Sequence, residues 1–457
     1  MTLTLNLAKA QRVTSAALVT GIAFVLVAGC RGIDTTQPGV APRDSSEVAS
    51  VEISFGRDIG NGLSMYDTIT VVAVVRDYRG NPLTSTPMSW GISLDKPLVS
   101  GEGIATVVAT GSRSALLTMN DEQAVVVAAA MRADTPNPVV AKFPVTAARR
   151  WQGFVWSRAS GFTRIPTPAG YDVSPRAIND RGDVVGTVHS SENGDHAFIW
   201  TEAQGFMLID GPGGWVSNAN AINASGEVTG RISDGMKTRA YVWTRESGIQ
   251  FLSRSSNNAF SSTEGTAINA SGQVAAHVMD GNDILGLRWV PPSSLSSLPI
   301  ESLTNPHSSV VAINDAGDIL GYDGHWDMDS WPSRLERRTP VLWTSKGERI
   351  DIANCSRQCD MSVAALNNRG QIAGYIRGNS FRRSAAGEIE NIALTSYNIP
   401  RGMNDLGDIV GNEVLSGSMW LWTASGEIVQ LGRPAATVLA AYASGINNKG
   451  QVVGNFR

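Results

Sequence analysis

One ten-residue segment of this chain concentrates side chains that could bind a ligand. Residues 322–331 read Tyr-Asp-Gly-His-Trp-Asp-Met-Asp-Ser-Trp. Aromatic faces suit sugar rings or apolar anchors, and carboxylate oxygens are the hard ligands that Ca²⁺ takes. A loop that merely covers the edge of a sheet is the alternative, because no complete metal motif is present. The candidate ligand-binding residues are Tyr322, Asp323, His325, Trp326, Asp327, Asp329 and Trp331.

Two of the three cysteines lie close together, at Cys355 and Cys359. If the protein is exported, it resides where disulfides persist, so this spacing favours a local bridge. A zinc site has little support, because a tetrahedral site needs four nitrogen or sulfur ligands and no Cys or His pair lies nearby in sequence. Two free thiols are the remaining interpretation.

Motifs of several common enzyme classes are absent from the sequence. There is no Gly-x-Ser-x-Gly, no His-Glu-x-x-His and no Gly-x-x-x-x-Gly-Lys, and the chain has only five histidines. We therefore assign no catalytic residue, metal site or cofactor, with Ca²⁺ kept as an alternative for the segment above. The net charge of -4 and the pI of about 5.8 argue against a nucleic-acid partner, because no basic field exists to hold a polyanion.

The first thirty residues have the order of an export signal. Lys9 and Arg12 precede an apolar run over 15–29 that is short for a membrane span. The run ends in Leu-Val-Ala-Gly-Cys at 26–30, which resembles a bacterial lipobox. This resemblance implies cleavage of residues 1–29 as a signal peptide, acylation of Cys30 and anchorage to the cell envelope, and Arg31 after the cysteine favours the outer membrane. An ordinary signal peptide or a short buried helix is the alternative.

A motif of the form Ile-Asn-x-x-Gly organises the last 300 residues. Successive asparagines are 44, 46, 45, 53, 37 and 43 residues apart, and this regularity marks structural repeats. Asn suits the first position of a type I turn and Gly the positive φ that follows, so the turn explains the motif better than a Ca²⁺ site does. The motif asparagines are Asn179, Asn223, Asn269, Asn314, Asn367, Asn404 and Asn447.

Each repeat also carries an apolar strand that ends in Trp, as in Phe198-Ile199-Trp200, with a degenerate copy at Phe381-Arg382. Four strands in about 45 residues are typical of a propeller blade. The repeats resemble the HAF-type extracellular repeat, named for a His-Ala-Phe found here at 196–198. This resemblance implies no particular activity. The phase of the repeats predicts that residues 150–457 form seven blades, one of them shared by the first and last strands.

Residues 49–148 have a different pattern of short alternating strands, which predicts a β-sandwich. Asp77, Gly80, Pro82 and Trp90 match the run Asp-x-x-Gly-x-Pro with a following Trp, and the segment resembles bacterial Ig-like domains. Residues 30–48 are rich in Thr, Pro, Gly, Ser and Asp and are expected to form a disordered tether. The predicted fold is thus an all-β chain, an Ig-like sandwich followed by a propeller.

The short turns of the repeats alternate with variable connections, so the variable connections should share the opposite face. In repeat proteins such a face usually carries binding. We expect an exported, membrane-anchored protein whose propeller binds or scaffolds a protein or a glycan. A hydrolase or lyase with a site built from loops is the second hypothesis, and a purely structural envelope protein is the third.

Overall fold

The computed structural model is nearly all-β and divides into two compact units, with the chain boundary between Arg150 and Trp151. The only helical element among the described residues is a single 3-10 turn at Pro212–Gly214. Within that described part, no helix has the length and apolar character needed to cross a membrane. The structure describes residues 26–27, 49–55, 63–64, 68–77, 79–84, 86, 88–93, 105–109, 114–119, 123–130, 139–148, 150–167, 170–252, 262–280, 283–291, 307–327, 334–352, 361–392, 397–414, 416–434 and 438–457.

The first unit contains two sheets, of five and four strands. Alternate residues of its long strands, such as Val71, Ala73 and Val75, are buried, as expected for strands with one face toward a core. Gly80 turns the chain with a φ of 85° beside the buried Asp77, whose Oδ1 accepts bonds from the backbone of Arg79 and Asn81. Its strands are β1 Leu26–Val27, β2 Ser50–Phe55, β3 Leu63–Ser64, β4 Thr68–Arg76, β5 Met88–Ser93, β6 Ala105–Ala109, β7 Ser114–Met119, β8 Gln123–Ala130 and β9 Val139–Ala148.

The second unit is a series of antiparallel sheets that follows the sequence repeats. We number the repeats 1 to 7 by their motif asparagines, from Asn179 to Asn447. The strands of repeats 1 to 3 are β12 Asp172–Ile178, β13 Val184–Ser190, β14 Gly194–Thr201, β15 Gly205–Ile209, β16 Val216–Ile222, β17 Val228–Ser233, β18 Thr238–Thr244, β19 Gly248–Phe251, β20 Ser262–Ile268, β21 Val274–Asp280 and β22 Asp283–Trp289.

Repeats 4 to 6 have four strands each, whereas repeat 3 has three described strands, because residues 292–306 lie outside the described part. One parallel pairing, between Ile284 and His307, joins repeats 3 and 4 into a seven-stranded sheet. The strands of repeats 4 to 6 are β23 His307–Ile313, β24 Ile319–Asp327, β25 Arg334–Trp343, β26 Arg349–Asp351, β27 Met361–Leu366, β28 Ile372–Ile376, β29 Asn379–Arg383, β30 Ile389–Asn391, β31 Asn398–Met403, β32 Ile409–Glu413, β33 Met419–Trp422 and β34 Ile428–Gln430.

Repeat 7 joins the two ends of the unit. Its first two strands, β35 Ala441–Ile446 and β36 Val452–Phe456, come from the end of the chain. Its other two, β10 Gln152–Ser157 and β11 Gly161–Arg164, come from the start of the unit. β36 pairs antiparallel with β10, giving the sheet order β11-β10-β36-β35. The phase of the sequence repeats predicts this shared sheet, which removes a free edge at the point where the unit closes.

The first strand of every repeat bulges three residues before its motif asparagine, for example between Pro175 and Ala177. The bulge brings a first-strand carbonyl toward the second strand. At Gly186 a Cβ would overlap the carbonyl oxygen of Ser174. Six repeats have glycine at this position and repeat 3 has Ala276, so the small residue follows from the close approach of two backbones.

The core lies between neighbouring sheets. One cluster combines Val185 and Ile199 of repeat 1 with Val228 and Trp243 of repeat 2. Trp343 packs in the same way against Ala275 of repeat 3. The sequence interpretation of the repeated Trp as a packing residue between sheets is therefore confirmed at these positions.

Deletion of residues 444–457 should destabilise the whole second unit. The deletion removes Val452, Val453 and Phe456, which are at most 3% exposed, and burial of such side chains stabilises by about 1.5–3 kcal/mol each. We expect one cooperative unfolding transition at a lower thermal midpoint, measured by circular dichroism. An unchanged midpoint, with protection from hydrogen exchange lost only near the new terminus, would contradict the closure.

Candidate functional site

The seven Asn-x-x-Gly motifs form the same turn. In repeat 7, the Asn447 backbone N–H donates to the Gln451 carbonyl at 3.1 Å, and the Gly450 N–H donates to the Asn447 carbonyl at 3.0 Å. The Asn447 Oδ1 accepts bonds from the N–H groups of Lys449 and Gln451. The seven glycines have φ between 71° and 95°, the left-handed region that favours glycine. The predicted turn is confirmed.

The asparagine amides have a second role that the sequence analysis missed, because they connect one repeat to the next. The motif asparagines are buried, at 3–5% exposure. Six amides donate to the carbonyl of the next motif asparagine, over 2.9–3.2 Å. These bonds run from Asn179 to Asn223, Asn223 to Asn269, Asn269 to Asn314, Asn367 to Asn404, Asn404 to Asn447 and Asn447 to Asn179.

The same amides also donate to the side chain four residues later. Asn447 Nδ2, for example, lies 2.8 Å from Gln451 Oε1. This fourth residue is an acceptor in every repeat, and its regularity in the sequence was the signal that could have revealed the second role of the amide. The acceptors are Asp183, Glu227, Gln273, Asp318, Gln371, Asp408 and Gln451.

The residue after the motif asparagine adds a second set of bonds in the later repeats. The Asp315 N–H donates to Asn368 Oδ1 at 2.8 Å and so connects repeats 4 and 5. Asn448 Nδ2 donates to both Asp180 Oδ2 and Asp405 Oδ2, at 2.9 and 3.0 Å. With these bonds, every junction between consecutive repeats is bridged, and the junction of repeat 7 with repeat 1 completes the circuit.

This circuit surrounds a cavity of about 280 Å³ to which all seven repeats contribute. The aliphatic residues that precede the motif asparagines form part of its wall, as Ile178 and Ile268 do. Asp180, Asp315 and Asp405 line it with the asparagines. Its polar atoms serve mainly the bonds between repeats, so this axial cavity is primarily part of the framework.

The structure corrects the prediction of an inserted loop for residues 322–327, whereas residues 328–331 lie outside the described part. Residues 319–327 are one strand, β24, which pairs with β25 as far as Asp327 with Arg334. The described part of the insertion therefore extends the pairing of β24 with β25, because residues 334–340 supply a partner strand that sequence spacing does not reveal.

Two of the predicted ligand-binding residues have structural partners. The Tyr322 hydroxyl accepts a bond from the Val363 N–H at 2.8 Å and donates to the Val363 carbonyl at 3.3 Å, which connects repeats 4 and 5. Asp323 Oδ2 accepts a bond from Arg349 Nε at 3.2 Å. Its Oδ1 is buried and has no hydrogen-bond partner in the described part of the chain.

The structure describes only some of the other predicted site residues. The backbones of His325, Trp326 and Asp327 lie in β24. Asp329, Trp331, Cys30, Cys355 and Cys359 lie outside the described residues, so the disulfide and the acylated cysteine remain predictions. Over the described ranges, no group of three or more His, Cys, Asp or Glu side chains is placed to hold a metal ion.

A larger groove, of about 530 Å³, lies between repeats 1 and 2. Ile199 and Trp243, at 4% and 8% exposure, line the groove beside Gly226. The turns at 179–183, 201–205, 223–227 and 244–248 contribute the remaining residues. Its volume is within the range of about 300–1,000 Å³ that is usual for small-molecule sites.

The groove carries polar groups that have no internal partner. Arg181 is paired with Asp183, with Nη2 and Oδ2 2.8 Å apart. By contrast, the side chains of Gln204, Arg245 and Glu246 make no hydrogen bond or ion pair with any described residue, and these positions are exposed. A guanidinium, a carboxylate and an amide are thus available to a ligand.

A second polar cluster spans repeats 2 and 3. Glu264 accepts a bond from Asn220 Nδ2 at 2.9 Å and lies 3.4 Å from Arg231 Nη1 and 3.7 Å from His277 Nε2. Burial raises the pKa of Glu264, but His277, Asn220 and Arg231 together outweigh this effect and hold the pKa below its ordinary value. His277 Nδ1 lies 3.3 Å from Thr266 Oγ1.

Comparison with known proteins identified no family for this chain. No family model matches the sequence. No curated protein matches it either.

Solved structures of β-propeller type are similar at low identity. A catalytically inactive H270A virginiamycin B lyase from Staphylococcus aureus, with quinupristin, is 12% identical, covering 67% of this chain and all of that one, with a TM-score of 0.40. A puromycin hydrolase S511A mutant complexed with PGG is 13% identical, covering 75% of this chain and 56% of that one, with a TM-score of 0.41. TolB from Acinetobacter baumannii is 11% identical, covering 64% and 79%, with a TM-score of 0.35. These likenesses transfer no activity to this chain.

Replacement of Asn447 by Asp should test the circuit. The carboxylate can still accept the backbone bonds of the turn, but it faces the Asn179 carbonyl and Gln451 Oε1 without a proton to donate. An unsatisfied buried polar group costs about 1–3 kcal/mol, and we expect a loss of this size in urea unfolding at pH 7. The exposed Asn193→Asp is the matched control and should change stability little. Equal stability of the two variants would show that the amide bridge contributes nothing.

Proposed function

We propose that this protein is an exported, lipid-anchored binding module. Acylated Cys30 holds the chain in the cell envelope, and the first unit is an Ig-like stalk. The second unit is a seven-bladed β-propeller whose last blade is shared by both of its ends. The propeller binds a protein or a glycan and acts without catalysis.

The groove between repeats 1 and 2 is the observation that carries this proposal, and it lies at the short turns, not at the variable connections where the sequence analysis expects binding. Its volume of about 530 Å³ suits a ligand, and Gln204, Arg245 and Glu246 present unused hydrogen-bonding groups there. The hydrogen-bonded circuit supports a rigid framework behind the groove, because a site is better preorganised when its supporting elements do not move. The segment 322–331 of repeat 4 is a second candidate contact, through His325, Trp326, Asp327, Asp329 and Trp331.

A hydrolase or lyase is the second candidate function. The cluster around Glu264 favours it, since the hydroxyl of Thr266 lies next to the imidazole of His277, which in turn lies next to the carboxylate of Glu264. In this arrangement the His277 Nε2–H faces Glu264, and Nδ1 is free to accept the Thr266 proton. Asn220 and Arg231 also bond Glu264, which is equally consistent with a purely structural contact between repeats.

A paired screen tests the two functions. The purified whole chain is applied to a glycan array and to envelope proteins, and in parallel it is incubated with ester, glycoside and lyase substrates. We expect saturable binding without turnover. Turnover that is lost in His277→Ala but kept in the exposed control His189→Ala would establish the enzyme instead.

The lipid anchor has a separate test. Cys30→Ser removes the thiol that would carry the acyl chain, so the protein should move from the membrane fraction to the soluble exported fraction. Fractionation and immunoblotting measure the distribution, with Cys355→Ser as the control that should stay with the membrane. Retention of the Cys30→Ser protein in membranes would refute the anchor.

A further inference from the structure

We infer that the second unit binds a small tetrahedral dianion, a phosphate or sulfate group, between Arg176 and Arg401. This site goes beyond the proposed binding of a protein or a glycan, and it does not depend on the groove between repeats 1 and 2. Three features point to it: the position of the two arginines in their repeats, the contact of their strands with repeat 7, and the lack of partners for both guanidinium groups in the described part of the chain.

The two arginines occupy the same position in repeats 1 and 6. Each is the bulged residue of its first strand, three before the motif asparagine, and has no paired residue on the second strand. We call the seven bulged residues the inner ring. The members of the inner ring in the other repeats are Asn220, Thr266, Val311, Ala364 and Ser444. The inner ring therefore has two positive charges and no negative one.

The inner ring lies where the first strands of neighbouring repeats meet. The residues two positions later line the axial cavity in all seven repeats. Asn220 shows how far a bulged side chain reaches, because its Nδ2 donates to the Gly265 carbonyl and to Glu264 on the next first strand, each at 2.9 Å. Arg176 and Arg401 have longer side chains and are exposed. Solvent therefore has access to the inner ring at both arginines.

The strands that carry the two arginines both contact the first strand of repeat 7. A Cβ at Gly402, next to Arg401, would lie 3.2 Å from the Gly445 Cα. A Cβ at Gly445 would lie 3.2 Å from the Arg176 carbonyl oxygen. Repeats 1 to 5 have alanine at this position, so glycine in repeats 6 and 7 follows from the close approach of three backbones. Arg401, Ser444 and Arg176 are thus consecutive members of the inner ring.

These three side chains have free hydrogen-bonding groups. Neither guanidinium group makes a hydrogen bond or an ion pair with a described residue, and the Ser444 hydroxyl makes no hydrogen bond with one. The carboxylates that follow the motif asparagines of the same two repeats, Asp180 and Asp405, line the axial cavity and accept bonds from Asn448 Nδ2. Two like charges therefore lie on either side of repeat 7 without a counter-ion from the described chain.

The surroundings of the arginines favour an anion. The acidic residue at the neighbouring level of the sheets is Glu264 of repeat 3, which already bonds Asn220 and Arg231. In repeats 6, 7 and 1 the described side chains at this level carry no charge, so they do not offset the field of the two arginines. These side chains are Ile399, Asn412, Tyr442, Asn455, Ser174 and Thr187.

The donors suit a tetrahedral dianion better than a carboxylate. One guanidinium group satisfies both oxygens of a carboxylate through its planar fork, which leaves the second guanidinium group without a role. Phosphate and sulfate direct their oxygens to four corners. Such an anion can accept bonds from a guanidinium group on either side and from the Ser444 hydroxyl between them. Its two negative charges also balance the two arginines.

Titration calorimetry of the whole chain at constant ionic strength tests this site, at about pH 8, where a phosphate monoester is a dianion. The probes are inorganic phosphate, sulfate and phenyl phosphate, with succinate as the carboxylate comparison. We expect inorganic phosphate to bind saturably and to raise the thermal midpoint of the second unit, because the anion binds the folded state. Tighter binding of phenyl phosphate would identify a monoester as the preferred source of the phosphate group.

Arg176→Asn and Arg401→Asn should each weaken phosphate binding at least tenfold, and the double variant should abolish it. Both changes introduce the residue that repeat 2 has at this position, so the fold should persist, as circular dichroism can verify. Arg369→Ala is the matched control. Arg369 is another exposed arginine whose side chain has no partner among the described residues, and its loss should leave phosphate binding unchanged.

Several results would overturn the site. An equal loss of binding in Arg369→Ala would mean that only the net charge matters. Equal binding of phosphate by the wild type and the double variant would place the anion elsewhere. Succinate binding more tightly than phosphate and sulfate would contradict the tetrahedral class, and absence of binding by every anion would contradict the site itself. None of these results changes the outcome of the screen with glycans and envelope proteins, so the proposed function is tested separately.

Discussion

The second unit depends on a buried amide that cannot be satisfied within its own repeat alone. Each motif asparagine is nearly inaccessible to water, so both protons of its amide nitrogen need acceptors. One proton goes to the side chain four residues later in the same turn. In six repeats the other goes to the carbonyl of the next motif asparagine, and for Asn447 that partner is Asn179, 268 residues earlier in the chain. The side chain of Asn447 therefore both stabilises its own turn and connects the two ends of the second unit.

This arrangement places strong demands on a few positions and few demands on the rest. The asparagine, the glycine of the turn and the small residue opposite the bulge are each fixed by a backbone contact. The middle of the apolar strand is less constrained, since it holds Ile199, Arg288 or Arg382 in different repeats. The framework can keep its circuit while the side chains between neighbouring sheets differ.

The second polar level, away from the turns, shows how differently the junctions are built. Tyr322 bonds the Val363 backbone, whereas Asn412 bonds both polar groups of the Ala443 backbone, at 2.8 and 3.0 Å. At this level Glu264 instead accepts a hydrogen bond from Asn220 and forms an ion pair with Arg231. Side chains of very different chemistry thus perform the same connecting task at one level of the sheets. A cluster that resembles a reactive site can therefore be a junction, and only a chemical assay of the kind described separates the two.

The sequence by itself determined the repeat, its turn, the strand nature of the chain and the pairing of its two ends, because these depend on local preferences and on phase. It also identified the repeated Trp as a packing residue. It did not determine which polar atoms meet across repeats, since the acceptor of Asn447 is set by closure and not by neighbours in the chain. The prediction of a loop at residues 322–327 was wrong, because the strand that pairs with them begins only at residue 334. It did not indicate the groove at all, because the groove is lined by residues of two adjacent repeats that only the tertiary structure brings together.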